Sequence, residues 1–302
     1  MQITILPASS KTAQATIRSL LSTPTNTNLH IRGLYRDPTR APPEFTSHPA
    51  FHATHGDIRD ANTLDLAGTD ALFVMTPPRH DVDDIFQWAR EASENTRAAI
   101  ERSSVRRVVL LSSMGAEFES GTGEIRTNHI AEEILQDAAP EVVIVRAAYF
   151  MENWAGGVSS VKDQENPYFE SVITPLEYEV PMVAIKDIGS ACAAHLLTPT
   201  LPESPYIFEL HGPKPYSVLD VQRAFKDATG KDVAVRPVEK QDLPAFFGQF
   251  LPPALVGPFV EMTVGFLPGG VMAQGNPDAE KRVQRGRTGL GDVIGGFFEG
   301  SA

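Results

Sequence analysis

The sequence predicts an α/β fold, a doubly wound parallel sheet followed by a smaller C-terminal α+β cap. Three observations carry this. Short β-branched runs alternate with amphipathic stretches of helix length through the first 150 residues. Some of these runs, Asp70–Met75 (DALFVM) above all, are apolar throughout, as strands covered on both faces of a parallel sheet are. The opening residues MQITILPASSKTAQATIRSLL read as a strand, a tight turn and a helix, the first half of a βαβ unit.

In order, Gln2–Leu6 alternates as a strand, and Ala13, Ile17, Leu20 and Leu21 give the next stretch a helical stripe from Lys11. Leu29–Tyr35 is strand two, and Pro38, Pro42 and Pro43 break the chain into a loop behind it. Phe51–His55 is a third strand, with Asp60 placed to cap a short helix through Leu66. Asp70–Met75 ends at Thr76-Pro77-Pro78 and leads into a helical stripe from Val82 to Ile100. Val105–Leu111, a helix over Thr127–Asp137 and the strand Val142–Arg146 complete six βα repeats, for which the order 3-2-1-4-5-6 is expected. After residue 155 the rhythm changes. Asn166–Met182 reads as a long loop with short strands, and Asp187 as the N-cap of a helix to Leu197. Tyr206–Leu210 is a strand, and Ser217 and Asp220 spell a capping box for a helix ending at Gly230. Asp232–Arg236 reads as a strand, Lys240–Gly248 and Pro253–Leu267 as helices, and 268–289 as a mobile stretch. Residues 1–155 thus form a dinucleotide-type core, rejoined by a strand and helix at about 183–212. Residues 156–182 and 213–302 form the substrate or cap region.

The 302 residues are 42 % apolar, enough for a substantial core, and carry a formal net charge of −12. That charge speaks against nucleic acid and anionic membranes as partners. One cysteine, Cys192, leaves neither an intrachain disulfide nor a cysteine metal cluster, and its place in an Ala-rich helix marks it as packing. No signal peptide and no run of about 20 apolar residues is read, so a soluble cytoplasmic protein, monomer or homodimer, acting on a small molecule is expected.

Open α/β sheets bind ligands beyond the C-terminal ends of their strands. Those ends supply Ser9, Ser10, Lys11, Thr12, Arg36, Thr76, Pro77, Ser112 and the Tyr149–Asn153 segment with Phe150. The first turn has the frame of a pyrophosphate site, but Pro7, Ser10 and Ala13 stand where glycines are expected. Its hydroxyls and Lys11 still offer donors and charge; an ordinary strand-to-helix turn is the plain alternative. Arg36 after strand two suits a 2′-phosphate and so NADP, while Asp37 beside it keeps NAD open; a solvated loop arginine is the alternative. His129 lies beside the Ile130/Ile134 stripe, where it can serve as proton donor or hold a cofactor hydroxyl, or simply face solvent. No tyrosine is followed by a lysine four residues on, there is no Gly-x-Ser-x-Gly elbow, and His52 and His55 alternate on a strand instead of converging on a metal.

A set of segments resembles the NmrA-like family of atypical short-chain dehydrogenases. They are the first strand–turn–helix, Arg36, Gly56-Asp57, Thr76-Pro77-Pro78, Leu110–Ala116, Asn128-His129 with Glu132-Glu133, Phe150-Met151-Glu152-Asn153-Trp154, Ile185–Gly189 and Leu210–Pro213. The style is that of fungal members, many of them in secondary metabolism. The resemblance implies a Rossmann fold that prefers NADP, with Asp57 among the cofactor contacts, His129 beside the nicotinamide ribose, and Tyr149, Phe150 and Asn153 lining the nicotinamide and substrate pocket. The function it implies is NADPH-dependent reduction of a small conjugated carbonyl, quinone or imine, with His129 or Tyr149 as proton donor or orienting group. Two other readings stay open. One is a cofactor-free isomerase, cyclase or dehydratase using His129, Tyr149 and acids near Glu117; the other is a non-catalytic protein that senses NADP.

Overall fold

A computed structural model describes residues 1–24, 28–162, 165–274 and 282–299. The chain runs β1 (Gln2–Leu6), α1 (Lys11–Ser22), β2 (His30–Tyr35), α2 (Pro43–Thr46), β3 (Phe51–His55), β4 (Ala71–Val74), α3 (Ile85–Glu101), β5 (Arg107–Ser113), α4 (Arg126–Leu135) and β6 (Glu141–Ala147). It continues through β7 (Tyr149–Phe150), α5 (Val158–Lys162), β8 (Tyr168–Ser171), β9 (Val180–Val183), α6 (Ile185–Leu197), β10 (Tyr206–His211), β11 (Pro215–Tyr216) and α7 (Val218–Thr229). It ends with β12 (Ala234–Pro237), α8 (Leu243–Phe247), α9 (Pro253–Phe266), β13 (Val283–Arg285) and α10 (Leu290–Gly296).

Eight strands form one sheet in the order β13-β10-β6-β5-β4-β1-β2-β3, and every pairing in it is parallel. The expected 3-2-1-4-5-6 core is present. β10 returns to it beside β6, and the chain's last strand closes the edge. The order reverses between β1 and β4, which places the ligand crevice at their C-terminal ends.

The sheet is covered on both faces because its strands are apolar on both. Ile3, Ile5, Phe73 and Val109 pack under α1 and α6; Leu6, Leu72, Val108 and Leu110 pack under α3 and α4. Each such side chain, fully buried, is worth about 1.5–3 kcal/mol. α1 and α6 approach until Gly189 meets the backbone of Ala15, so no Cβ fits at that position. Ser10 caps α1 by accepting from Ala13 N at 3.1 Å, and Asp84 caps α3 through Phe86 N and Gln87 N, both at 2.9 Å. The capping box of Ser217 and Asp220 forms as the sequence spells it, and Gly230 ends α7 in the left-handed region at φ 68°.

Some expectations shift. Helix α6 starts at Ile185, and Asp187 is not its cap; its carboxylate accepts from Thr288 N and Oγ1 at 2.8 and 2.9 Å and ties the end of the chain to the core. Asp60 caps only a 3-10 turn, Ala61–Thr63. The proline-rich loop hides α2, whose Phe45 is buried. Of the stretch 268–289, read as mobile, residues 275–281 lie outside the described residues; 283–285 instead form the edge strand.

The cap has its own core, in which Trp154, Phe169 and Phe225 stack in sequence, and two small sheets, β11-β9-β7 and β12-β8. Helix α9 lies across the loop that follows β5, with α8 packed against it. Gly121 N donates to Glu261 Oε1 at 3.0 Å, and at Gly123 (φ 54°) a Cβ would strike the backbone of Pro258.

Candidate active site

The β1–α1 turn sits at the switch point. Ala8 N donates to Leu34 O at 2.9 Å, which draws the turn against β2, and Thr12 Oγ1 donates to Met75 Sδ at 3.4 Å at the end of β4. Ser9 and Lys11 are exposed, while Ser10 spends its hydroxyl on the cap. The N–H groups of Lys11 and Thr12, in the first turn of α1, have no acceptor within the helix and remain available to an anion.

At the end of β2, the Asp37 carboxylate accepts from both Thr39 N (3.0 Å) and Thr39 Oγ1 (2.6 Å), and the hydroxyl bond holds its pKa below the usual range. Arg36 beside it is exposed; its carbonyl accepts from His55 Nδ1 at 3.1 Å, and its side chain has no hydrogen bond or ion pair among the described residues. It lies close enough to Asp57 and Asp81 to favour their charged forms. Those carboxylates are already matched, Asp57 by a bidentate Arg59 and Asp81 by Arg79.

On the other side of the turn, Glu152 accepts from Ile185 N at 2.8 Å with one oxygen, and its second oxygen is buried without a partner. Burial raises its pKa against the pull of the nearby Lys11 charge, which joins the first turn to the Met151–Gly157 segment. Tyr149 has its hydroxyl buried against Asn153, and burial lifts its pKa to about 12. Its ring packs between Trp154 and Phe266 at about 6 Å, so the lid helix α9 touches this segment directly. A phenol held that high is a poor proton donor near neutral pH.

Ser112 and His129 face a different set of partners. Ser112 Oγ donates to Glu132 Oε1 at 2.5 Å, and Arg146 grips the same carboxylate at 3.1 and 2.7 Å. Glu117 lies 3.4 Å from Arg146 and accepts from Gly115 N at 3.1 Å, with its pKa raised by burial. Glu209 stands near this group and holds His211 at 2.8 Å. His129 Nδ1 donates to Ala116 O at 2.8 Å, and its Nε2 lies 3.6 Å from Glu133. This network fixes the loop after β5 against β6 and α4.

The expected residues therefore divide. Ser9, Ser10, Lys11, Thr12, Arg36, Asp57, Thr76 and Pro77 gather along the C-terminal edge of β1, β2, β3 and β4; Tyr149, Phe150 and Asn153 join them through Lys11 and Glu152. Ser112 and His129 are engaged behind the loop after β5. Arg146, Glu209 and His211 were missed because each is a polar residue in or at the end of a largely apolar strand. The register pairing Glu209 with Arg146 is invisible without the sheet order. Also missed was Glu124, which shares a crevice with Thr76, Pro77, His80, Trp88, Thr127 and the lid's Phe259. Among the described residues no group of three or more His, Cys, Asp or Glu converges as a metal site. No helix among them is long and apolar enough to cross a membrane.

Residues 8–175, more than half of the chain, match the family described as NAD(P)H-binding. The chain belongs to that family. No curated protein sequence matches it. Among solved structures it is similar to the NADPH-dependent quinone oxidoreductase of Escherichia coli in complex with NADPH. That match has a TM-score of 0.75 at 18 % identity, covering 99 % of this chain and 100 % of that one. Triphenylmethane reductase of Citrobacter aligns with a TM-score of 0.74 at 16 % identity over 99 % and 100 %. A nucleoside-diphosphate-sugar epimerase of Staphylococcus aureus gives 0.76 at 14 % over 98 % and 100 %. At these identities the likeness establishes the fold, a Rossmann-type parallel sheet flanked by helices.

Proposed function

We propose that the protein is an NADP(H)-dependent reductase of a small conjugated carbonyl, quinone or imine, an NmrA-like member of its family that works in the cytoplasm as a monomer or homodimer. The observation that carries the cofactor choice is Arg36 at the end of β2, whose exposed side chain has no hydrogen bond or ion pair among the described residues, beside an Asp37 whose Oδ1 is held by Thr39. A 2′-phosphate needs a free cation at that position.

The residues fit the group. The N–H groups of Lys11 and Thr12, the Ser9 hydroxyl and the Lys11 ammonium would hold the pyrophosphate. Arg36 would hold the 2′-phosphate, and Thr76, Pro77 and the Tyr149–Asn153 segment would line the rest. NADPH bound there would supply a hydride. The protein's part is orientation, exclusion of water by the apolar lid, and a proton. The quinone and triphenylmethane reductases among the structural neighbours support the substrate class.

Titrating the protein with NADPH while following cofactor fluorescence, then adding a panel of quinones, tests this. Saturation in the micromolar range followed by oxidation of NADPH is expected. Saturation with no turnover would point to a sensor, and no binding at millimolar cofactor to chemistry without a cofactor.

A further inference from the structure

The loop after β5 and the lid enclose a slot that the phosphate contacts leave unused. Both of its walls are glycine backbone. At Gly115 (φ 90°) a Cβ would strike Met272 Sδ, and at Gly265 on α9 one would lie 2.9 Å from Met272 Cε. The thioether of Met272 therefore fills a gap between two stretches of chain that carry no Cβ, with Ile125 bordering the Gly115 side. Such a gap is one atomic layer thick, about 3.5–4 Å to each wall, and a flat aromatic ring needs the same spacing.

The strap that carries the methionine leaves α9 at Leu267 and is pinned by its backbone. Leu267 is buried in the cap core, Gly270 N donates to Leu267 O at 2.8 Å, and Met272 N donates to Gly265 O at 2.9 Å. The Met272 side chain is half-buried and Val271 beside it is 36 % exposed, so the slot reaches solvent at its outer end. Phe266, next to Gly265, packs on Tyr149 at 6.1 Å, which sets the slot beside the segment proposed for the nicotinamide. The walls carry charge of one sign. Residues 114–125 and 253–272 hold Glu117, Glu119, Glu124 and Glu261 and no lysine, arginine or histidine. Arg146, which reaches Glu117, is also gripped by Glu132.

We propose that Met272 is the gate of the substrate slot and sets the size of ring it accepts, and that the substrate is a flat ring system without an anionic group. This rests on the reductase reading above. The ring enters from the outer end, turns the Met272 side chain out, and lies between Gly115 and Gly265. An unbranched thioether suits the task, since it changes rotamer readily and repacks against whatever displaces it. The backbone bonds of the strap stay in place while it does so. A carboxylate, sulfonate or phosphate entering the slot would meet acids and no cation on either wall, which also sets aside a nucleoside-diphosphate sugar.

The test compares wild type, Met272→Ala and Met272→Phe at saturating NADPH. The substrates are 2-methyl-1,4-naphthoquinone, the wider 9,10-phenanthrenequinone and the anionic 1,2-naphthoquinone-4-sulfonate. In Met272→Ala the KM for phenanthrenequinone should fall roughly three- to tenfold, since no half-buried side chain has to be displaced. In Met272→Phe it should rise about threefold or more, since a bulkier and stiffer group has to leave. In both variants kcat should move less than about twofold, the split expected of a residue that governs entry and not the chemical step. In wild type the sulfonate should have a kcat/KM roughly tenfold or more below that of 2-methyl-1,4-naphthoquinone, measured in enough salt to screen the net charge of −12. A second readout uses the protein without cofactor. Quenching of indole fluorescence by phenanthrenequinone, with Trp154 stacked 6.0 Å from Tyr149 as the near reporter, should give dissociation constants in the order Ala, wild type, Phe from tightest to weakest. Turnover of NADPH with the three phenanthrenequinone KM values within about twofold of one another, or with the sulfonate used as well as the neutral quinone, would overturn the proposal and leave the reductase standing. Absence of NADPH binding in wild type would remove both.

Discussion

Replacing Arg36 by alanine isolates the cofactor choice from the rest of the site. The side chain is exposed and engages no partner, so its loss should leave folding stability within about 0.5 kcal/mol. Its expected work is toward a 2′-phosphate alone. A hydrogen bond to a charged group contributes about 1.5–3 kcal/mol, and exposure to solvent pulls this one to the low end. The neighbouring cations are poor substitutes, since Arg59 and Arg79 are held by Asp57 and Asp81. NADPH affinity should therefore fall roughly 10- to 30-fold, while NADH affinity changes less than about twofold. Parallel fluorescence titrations of both cofactors, at low and high salt, read this directly. The difference between the two cofactors should shrink as salt rises in the wild type and vanish in the variant. Equal weakening of NADPH and NADH, or no weakening of either, would refute the placement of the phosphate at Arg36.

Three further outcomes follow from other parts of the molecule. Ser10→Gly surrenders a cap at a cost of a few tenths of a kcal/mol and lets a pyrophosphate approach the helix, so NADPH should bind about three- to tenfold tighter; unchanged affinity would move the pyrophosphate elsewhere. Arg107, wholly buried, binds Glu141 at 2.6 and 2.8 Å and the carbonyls of His195, Thr198 and Pro199; Glu141 keeps Arg106 at 2.7 Å, so Arg107→Met should cost about 1–3 kcal/mol in urea unfolding for the orphaned carbonyls; a loss under about 0.5 kcal/mol would show the clamp to be dispensable. Burial depresses the pKa of His195, so the unfolded chain takes up its proton first as pH falls below 6.5, and wild-type stability should decline there while His195→Phe stays flatter in the same urea series.

The sheet was legible because its signals are local. Period-2 and continuous apolar runs mark β1 to β6, and a polar or proline stop ends most of them. Gly230 and the Ser217/Asp220 pair carry their own capping chemistry and landed where expected. What failed was whatever depends on partners distant in sequence. Asp187 looks like a cap until Thr288 claims it, a hundred residues on. β7 and β11 are two residues each and exist only because β9 lies between them. In the site, Arg36 could be read from its place after a strand. The involvement of Ser112 with Glu132 and Arg146, by contrast, depends on three elements meeting. Glu124 gave no signal at all, since its place beside Phe259 depends on α9 packing over the loop after β5.

The contact between Gly189 and Ala15 bears on how the protein comes to be made. The turn that opens the chain is seated only when α1 has α6 against it, and α6 ends at Leu197. Before α6 is made, the side of α1 that meets Gly189, Ala15 included, lacks that partner. The turn proposed to hold a pyrophosphate thus takes its final shape only after a helix far along the chain has been made. A methyl group added at residue 189 would push that helix away and be felt at the mouth of the crevice, far along the chain from the substitution.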